Sequence, residues 1–120
     1  MVAMTVDRDT FALHVAKLDE AVQVAVAFPD NAAHTPAYQD ALHQVLTGAR
    51  LLQADVDDLS EPIPDDLRLG LSSCAVALDT VATSALTDRH QPGYFTRRLG
   101  PTLDNLRDFA ARVGTHWAGA

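Results

Sequence analysis

Five histidines, His14, His34, His43, His90 and His116, are the side chains of this 120-residue chain best suited to moving protons or holding a metal near neutral pH. A dinuclear metal site in a helical bundle takes two Glu-x-x-His pairs and two further glutamates. The chain has only Glu20 and Glu61, and neither is followed three residues later by histidine. Asp40-Ala41-Leu42-His43 puts one carboxylate and one imidazole on one helical face, too few ligands for a closed site, so the two are read as solvent-facing neighbours. His14 is read as an edge histidine with its polar tip in water, and His34 and His90 as loop residues. No metal and no cofactor is expected.

The nucleophile candidates Ser72, Ser73, Ser84 and Cys74 occur in no nucleophile-elbow pattern, and no glycine-rich loop is present to cradle a phosphate. Cys74 falls on an apolar stripe and is read as a small inert hydrophobe. As the chain's single cysteine it can close no intrachain disulfide. Arg112 and His116 stand four residues apart, a spacing that sets guanidinium and imidazole on one helical face, where they could hold a phosphate and move a proton. The bland reading is an exposed cationic pair complementing a helix C-terminus. Tyr94, Phe95, Phe109 and Trp117 gather the aromatic residues of the last quarter and mark where a ligand pocket would open.

Charge is placed unevenly. Sixteen acids oppose nine bases, for a net charge of −7 and a pI near 4.9, which argues against a nucleic-acid partner held by a basic field. Asp55, Asp57, Asp58, Glu61, Asp65 and Asp66 share one window without a base, whereas Arg89, Arg97, Arg98, Arg107 and Arg112 lie in the last quarter. Such a separation serves either complementarity inside the fold or the steering of a basic partner by the acidic end.

The elements that must carry these residues are helices. Tyr38, Leu42, Val45, Ala49, Leu52, Val56 and Leu59 alternate steps of four and three, an a/d seam on one helical stripe. Thr35 before Pro36 supplies an N-cap and a proline at the first helical position. A third helix follows Pro62-Ile63-Pro64 with Leu67, Leu71, Cys74, Leu78, Val81 and Ala85 inward, ending near Asp88 before Gln91-Pro92-Gly93. Leu99, Leu103, Leu106, Ala110, Val113 and Trp117 keep the stripe across Gly100-Pro101, which predicts a fourth helix kinked or broken there. The first helix carries Phe11, Val15, Leu18, Val22 and Ala25 or Val26, and ends by Phe28-Pro29. Short connections force neighbours antiparallel, so the expected fold is all-α, an up-down-up-down four-helix bundle over a single domain, 1–120, with 1–8 a flexible N-terminus.

Arg112-Val113-Gly114-Thr115-His116, near the end of a bundle of this size, resembles the Arg-x4-6-His motif of the HEPN-domain ribonucleases. The resemblance implies RNA backbone cleavage by Arg112 and His116 at a dimer cleft. It covers five residues, and three residues separate the pair where the family has at least four.

The residues by themselves favour a non-catalytic interaction module. Leu13 and Val24 project opposite the core stripe of the first helix among Lys17, Glu20 and Gln23. With Asp55, Asp57 and Asp58 they form the expected interface for a protein partner or a second copy. The other classes weighed are the HEPN-like ribonuclease and a small-molecule-binding bundle. No basic leader with an apolar run and no 18-residue uninterrupted apolar stretch is seen, so no membrane partner and a cytoplasmic location are expected. Nine bases of which one, Lys17, is lysine point to a GC-rich bacterial source.

Overall fold

In the computed structural model, residues 5–28, 35–88 and 92–119 are described, with the side chains of 88–97 left aside. Four helices follow one another: α1 (Arg8–Val26), α2 (Pro36–Asp57), α3 (Asp65–Asp88) and α4 (Pro92–Ala118). Each packs on its neighbours in chain order, and α4 closes the ring on α1. Cross-links between helices run with opposite numbering, Leu18 near Gly48 and His14 on Asp55, then Phe11 against Trp117 and Asp19 on Arg107. The fold is the expected all-α, up-down-up-down four-helix bundle, drawn out to 48 × 31 × 19 Å.

The helix starts follow from local chemistry. The Thr35 hydroxyl accepts the Tyr38 N–H at 3.3 Å and Pro36 opens α2. The Asp7 carboxylate accepts the Thr10 N–H at 2.7 Å and caps α1. Hydrogen bonding from Thr10, first its side chain and then this N–H, holds the Asp7 carboxyl below the usual carboxylate range. Asp65 and Asp66 occupy the first turn of α3, where carboxylates complement the helix dipole.

Burial follows the seams. Leu18, Val22, Tyr38, Leu42, Val45, Leu52, Leu71, Leu78, Leu99, Leu106 and Val113 are closed to solvent, and Cys74 is buried with them. Burial pushes the Cys74 thiol up, away from the reactive thiolate.

One expectation changes. Residues 6–8, read as part of a flexible N-terminus, are tied down. Val6 donates its N–H to the Asp58 carbonyl at 2.8 Å and accepts the Ser60 N–H at 2.9 Å, and Arg8 binds Glu61. A β-branched residue in extended conformation has found a free backbone edge just after α2. α4 runs through Pro101 as one helix, one of the two forms expected there. Pro101 cannot donate to the carbonyl of residue 97 one turn back, but the apolar stripe stays in register on both sides.

Candidate functional site

A broad apolar groove lies between α1 and α4, the pair that closes the ring. It is an open groove of about 600 Å³. Phe11, Val15 and Trp117 form its floor. Ala12 and Ala16 on one wall and Ala110, Gly114 and Ala118 on the other are each four residues apart, so every turn of both helices presents a small side chain. Two large side chains at these places would have closed the gap, and small ones leave it open.

Charged groups stand at its ends. The Arg8 guanidinium lies 5.5 Å from the centre of the Trp117 ring while its Nε donates to Glu61 at 2.8 Å. At the other end Arg107 clamps Asp19 with both arms, Nε at 2.6 Å and Nη2 at 2.9 Å. The Arg107 hydrogen bonds hold the Asp19 carboxyl below its ordinary range. Because the folded form has the lower value, this pair stabilises the fold above the unfolded carboxylate value, about 3.9, and its contribution disappears as pH falls through the folded value. The stability gap between the parent and Arg107→Ala, followed by urea denaturation, is therefore expected to be constant above about pH 5 and to close on further acidification.

Phe109 and Trp117, grouped from the sequence as one ligand pocket with Tyr94 and Phe95, line different faces of α4. Trp117 is on the α1 side. Phe109 is on the α3 side, its ring lying directly over Gly70. The two are eight residues apart and about 80° apart around the helix, which separates their surroundings. The side chains of Tyr94 and Phe95 lie outside those described. The indole N–H of Trp117 and the hydroxyl of Tyr38 are buried without a hydrogen-bond partner among the described residues.

The expected protein interface divides. Leu13 and Val24 are about half exposed, at 51% and 47%, and Val24 borders a second groove between α1 and α2 with Lys17, Glu20, Ala41 and Gln44. Asp57 and Asp58 are exposed. Asp55 is not available to a partner: it is 3% exposed, and its carboxylate meets the His14 imidazole at Nδ1. The correction applies to His14 too, whose polar edge turns to α2 instead of water. Position 55 flanks the α2 seam on the side facing α1, so the packing of α1 covers it. In the acidic window Asp55, Glu61 and Asp65 all find partners within the chain, the His14 imidazole, Arg8 and Arg68. Complementarity inside the fold thus accounts for half of the cluster.

Arg112 and His116 are both exposed on α4. Arg112 binds Asp108 at 3.0 Å and its guanidinium lies 5.7 Å from the Phe109 ring centre. Neither residue lines the α1–α4 groove, and His116 has no acidic or nucleophilic neighbour in hydrogen-bond contact among the described residues. Asp40 and His43 are exposed, and among the described residues no three His, Cys, Asp or Glu side chains come together. His34 and His90 lie outside the described residues. No family model, curated protein or solved structure matches this chain.

The groove was missed in the sequence although its signal is there. Ala12/Ala16 and Ala110/Gly114/Ala118 are small residues at four-residue spacing on the first and last helices, beside the core stripes, where a bundle that buried a wider face would carry large ones.

Proposed function

We propose that the protein is a non-catalytic interaction module that docks an apolar segment of a protein partner. The observation that carries this is the open α1–α4 groove, apolar along its floor and small-walled on both sides, with its charges confined to the ends. A helix laid between α1 and α4 meets alanine and glycine at every turn, so its side chains enter the gap without displacing the bundle's own. The charged ends, Arg8 with Asp9 and Asp19 with Arg107, fix direction rather than supply affinity. The exposed Leu13 and Val24 add further apolar area on α1, Val24 at the separate α1–α2 groove.

A second reading uses the same groove. Its volume is within the range of small-molecule sites, and Trp117 offers an aromatic floor to a flat or acyl ligand. One substitution separates the classes. A side chain added at Gly114 meets open space, so Gly114→Leu fills the groove while leaving the core untouched. Native mass spectrometry of the protein purified from its own cells is expected to show a protein partner on the parent and none on Gly114→Leu. A bound mass of a few hundred daltons lost in the same variant would replace the partner with a small ligand. RNA cleavage by the parent, abolished in His116→Ala, would overturn both in favour of a ribonuclease.

A further inference from the structure

We infer that His14 is a phosphoryl-acceptor site, taking a phosphoryl group on Nε2 from an acyl phosphate or a phosphoramidate. The imidazole stands on α1 at its seam with α2, and its two nitrogens have separate surroundings. Nδ1 meets the carboxylate of Asp55, which lies under α1 almost closed to solvent. Nε2 has no hydrogen-bond partner among the described residues. The buried polar atoms left without one are the Tyr38 hydroxyl and the Trp117 indole, so Nε2 is not shut in and opens to water. One-fifth of the side chain is exposed.

A carboxylate oxygen only accepts, so Nδ1 carries the ring proton and the lone pair of Nε2 is the one left outward. A carboxylate on one nitrogen fixes tautomer and ring orientation and stabilises positive charge arising on the ring, which prepares the other nitrogen to react. His43 and His116 are more exposed, yet neither meets a carboxylate among the described residues. His14 is therefore the prepared imidazole of the three.

The second group is Lys17. It follows His14 by three residues, about one turn, on the same flank of α1: His14 meets α2 at Asp55, and Lys17 borders the α1–α2 groove with Ala41 and Gln44. Its ammonium has no ion pair among the described residues, whereas Arg8, Arg50, Arg68, Arg107 and Arg112 each bind a carboxylate. An open imidazole nitrogen beside an unspent cation suits a group that is attacked by nitrogen and carries negative oxygens. A metal ion needs further ligands, and among the described residues no third His, Cys, Asp or Glu joins the pair.

The transfer balances. The Nε2 lone pair forms the N–P bond as the P–O bond of an acyl phosphate breaks, and the bonding electrons leave with the carboxylate. With a phosphoramidate protonated on nitrogen, the P–N bond breaks and the amine leaves neutral. The Nδ1 proton stays in its hydrogen bond, so the charge arising on the ring faces Asp55, and Lys17 is within reach of the phosphoryl oxygens. A chain of net charge −7 collects free anions poorly, which favours a phosphoryl group handed over and held by its bond above a phosphate bound from solution.

Incubation of the intact protein with potassium phosphoramidate, followed by peptide mapping at alkaline pH, tests the site. A gain of about 80 Da on His14, removed by acid, is expected at about ten times the rate of His43 and His116 in the same molecules. In concentrated urea that lead is expected to vanish. Asp55→Asn, checked for an unchanged helical spectrum, is expected to slow labelling of His14 about tenfold, and Lys17→Ala about threefold, with His43 unmoved. Labelling of His14 by acetyl phosphate as well would name an acyl phosphate as the source, and labelling by phosphoramidate alone an N-phosphorylated donor. The inference is overturned by His14 labelling no faster than His43 and His116, by a lead that survives urea, or by a label that maps to Lys17. None of these measurements involves the α1–α4 groove, so this inference and the docking proposal can fail separately.

Discussion

His14→Ala is expected to lower stability by about 3 kcal/mol, a large effect for a histidine near a helix surface. The cause is the residue it abandons. Asp55 is held under α1 with almost no solvent contact, and the His14 imidazole is its side-chain partner. Removing the imidazole leaves the buried Asp55 carboxyl without its hydrogen-bond partner, and removing one member of a buried pair costs about 3–5 kcal/mol. The lower end applies because His14 keeps one-fifth of its side chain in water. Asp55→Ala costs less, since the imidazole left behind keeps one-fifth of its surface in water. The paired replacement His14→Leu/Asp55→Leu is expected to return to within about 1 kcal/mol of the parent, because two apolar side chains of similar volume carry no desolvation penalty. Urea denaturation of the parent, the two alanine variants and His14→Ala/Asp55→Ala closes the cycle. If the two single losses simply add, the residues are not coupled and the buried pair is not what holds α1 on α2.

Gly70→Ala is expected to destabilise the protein by about 2 kcal/mol, against the usual gain from replacing a helical glycine. A Cβ built on Gly70 comes within 2.3 Å of the Phe109 ring. The glycine is there because α4 lays an aromatic ring flat on the α3 backbone, a contact any side chain would occupy. Helix propensity alone favours alanine by about 1 kcal/mol, so overpacking must outweigh it. The sign is therefore expected to reverse in the Phe109→Ala background, where Gly70→Ala stabilises by up to about 1 kcal/mol. Thermal or urea unfolding of the single and double variants reads both signs. A stabilising Gly70→Ala in the parent would show that Phe109 moves aside freely and that the ring does not fix the α3–α4 spacing.

These two effects divide what was legible in the sequence from what was not. The helices, their order and their inward faces were legible because each depends on residues within a few positions of one another. Thr35 and Pro36 mark the start of α2 whatever surrounds it, and the seams from Tyr38 to Val56 and from Leu67 to Ala85 are buried as their spacing implies, save that Val81 is half-buried and Ala82 turns inward instead. Pro101 was legible as a missing donor within a helix kinked or broken there, and α4 passes through it as one helix. Continuity goes with Leu99, Leu103 and Leu106 being held on both sides by the rest of the core.

The candidate surfaces were legible in part. Leu13 and Val24 are exposed where a position opposite the stripe puts them, and Asp57 and Asp58 are exposed too. Asp55 belonged to the same acidic window and went inside. Its neighbour in space, His14, is 41 residues away in sequence, and no local pattern pairs them. Phe109 and Trp117 were both read as apolar and aromatic, which was enough to expect burial but not to say that one faces α3 and the other α1.

By itself, the sequence determined that this protein is four helices with one apolar stripe each, and that its charge is acidic and uneven. Periodicity and capping are local, and a repeat of 3.5 residues fixes which side of each helix turns inward. Only the tertiary structure decided how far each helix rotates about its axis within that stripe, since successive residues differ by 100° and flanking positions fall inside or outside according to the neighbour. That rotation buried Asp55 against His14, set Phe109 on Gly70, and opened the small-walled groove between α1 and α4.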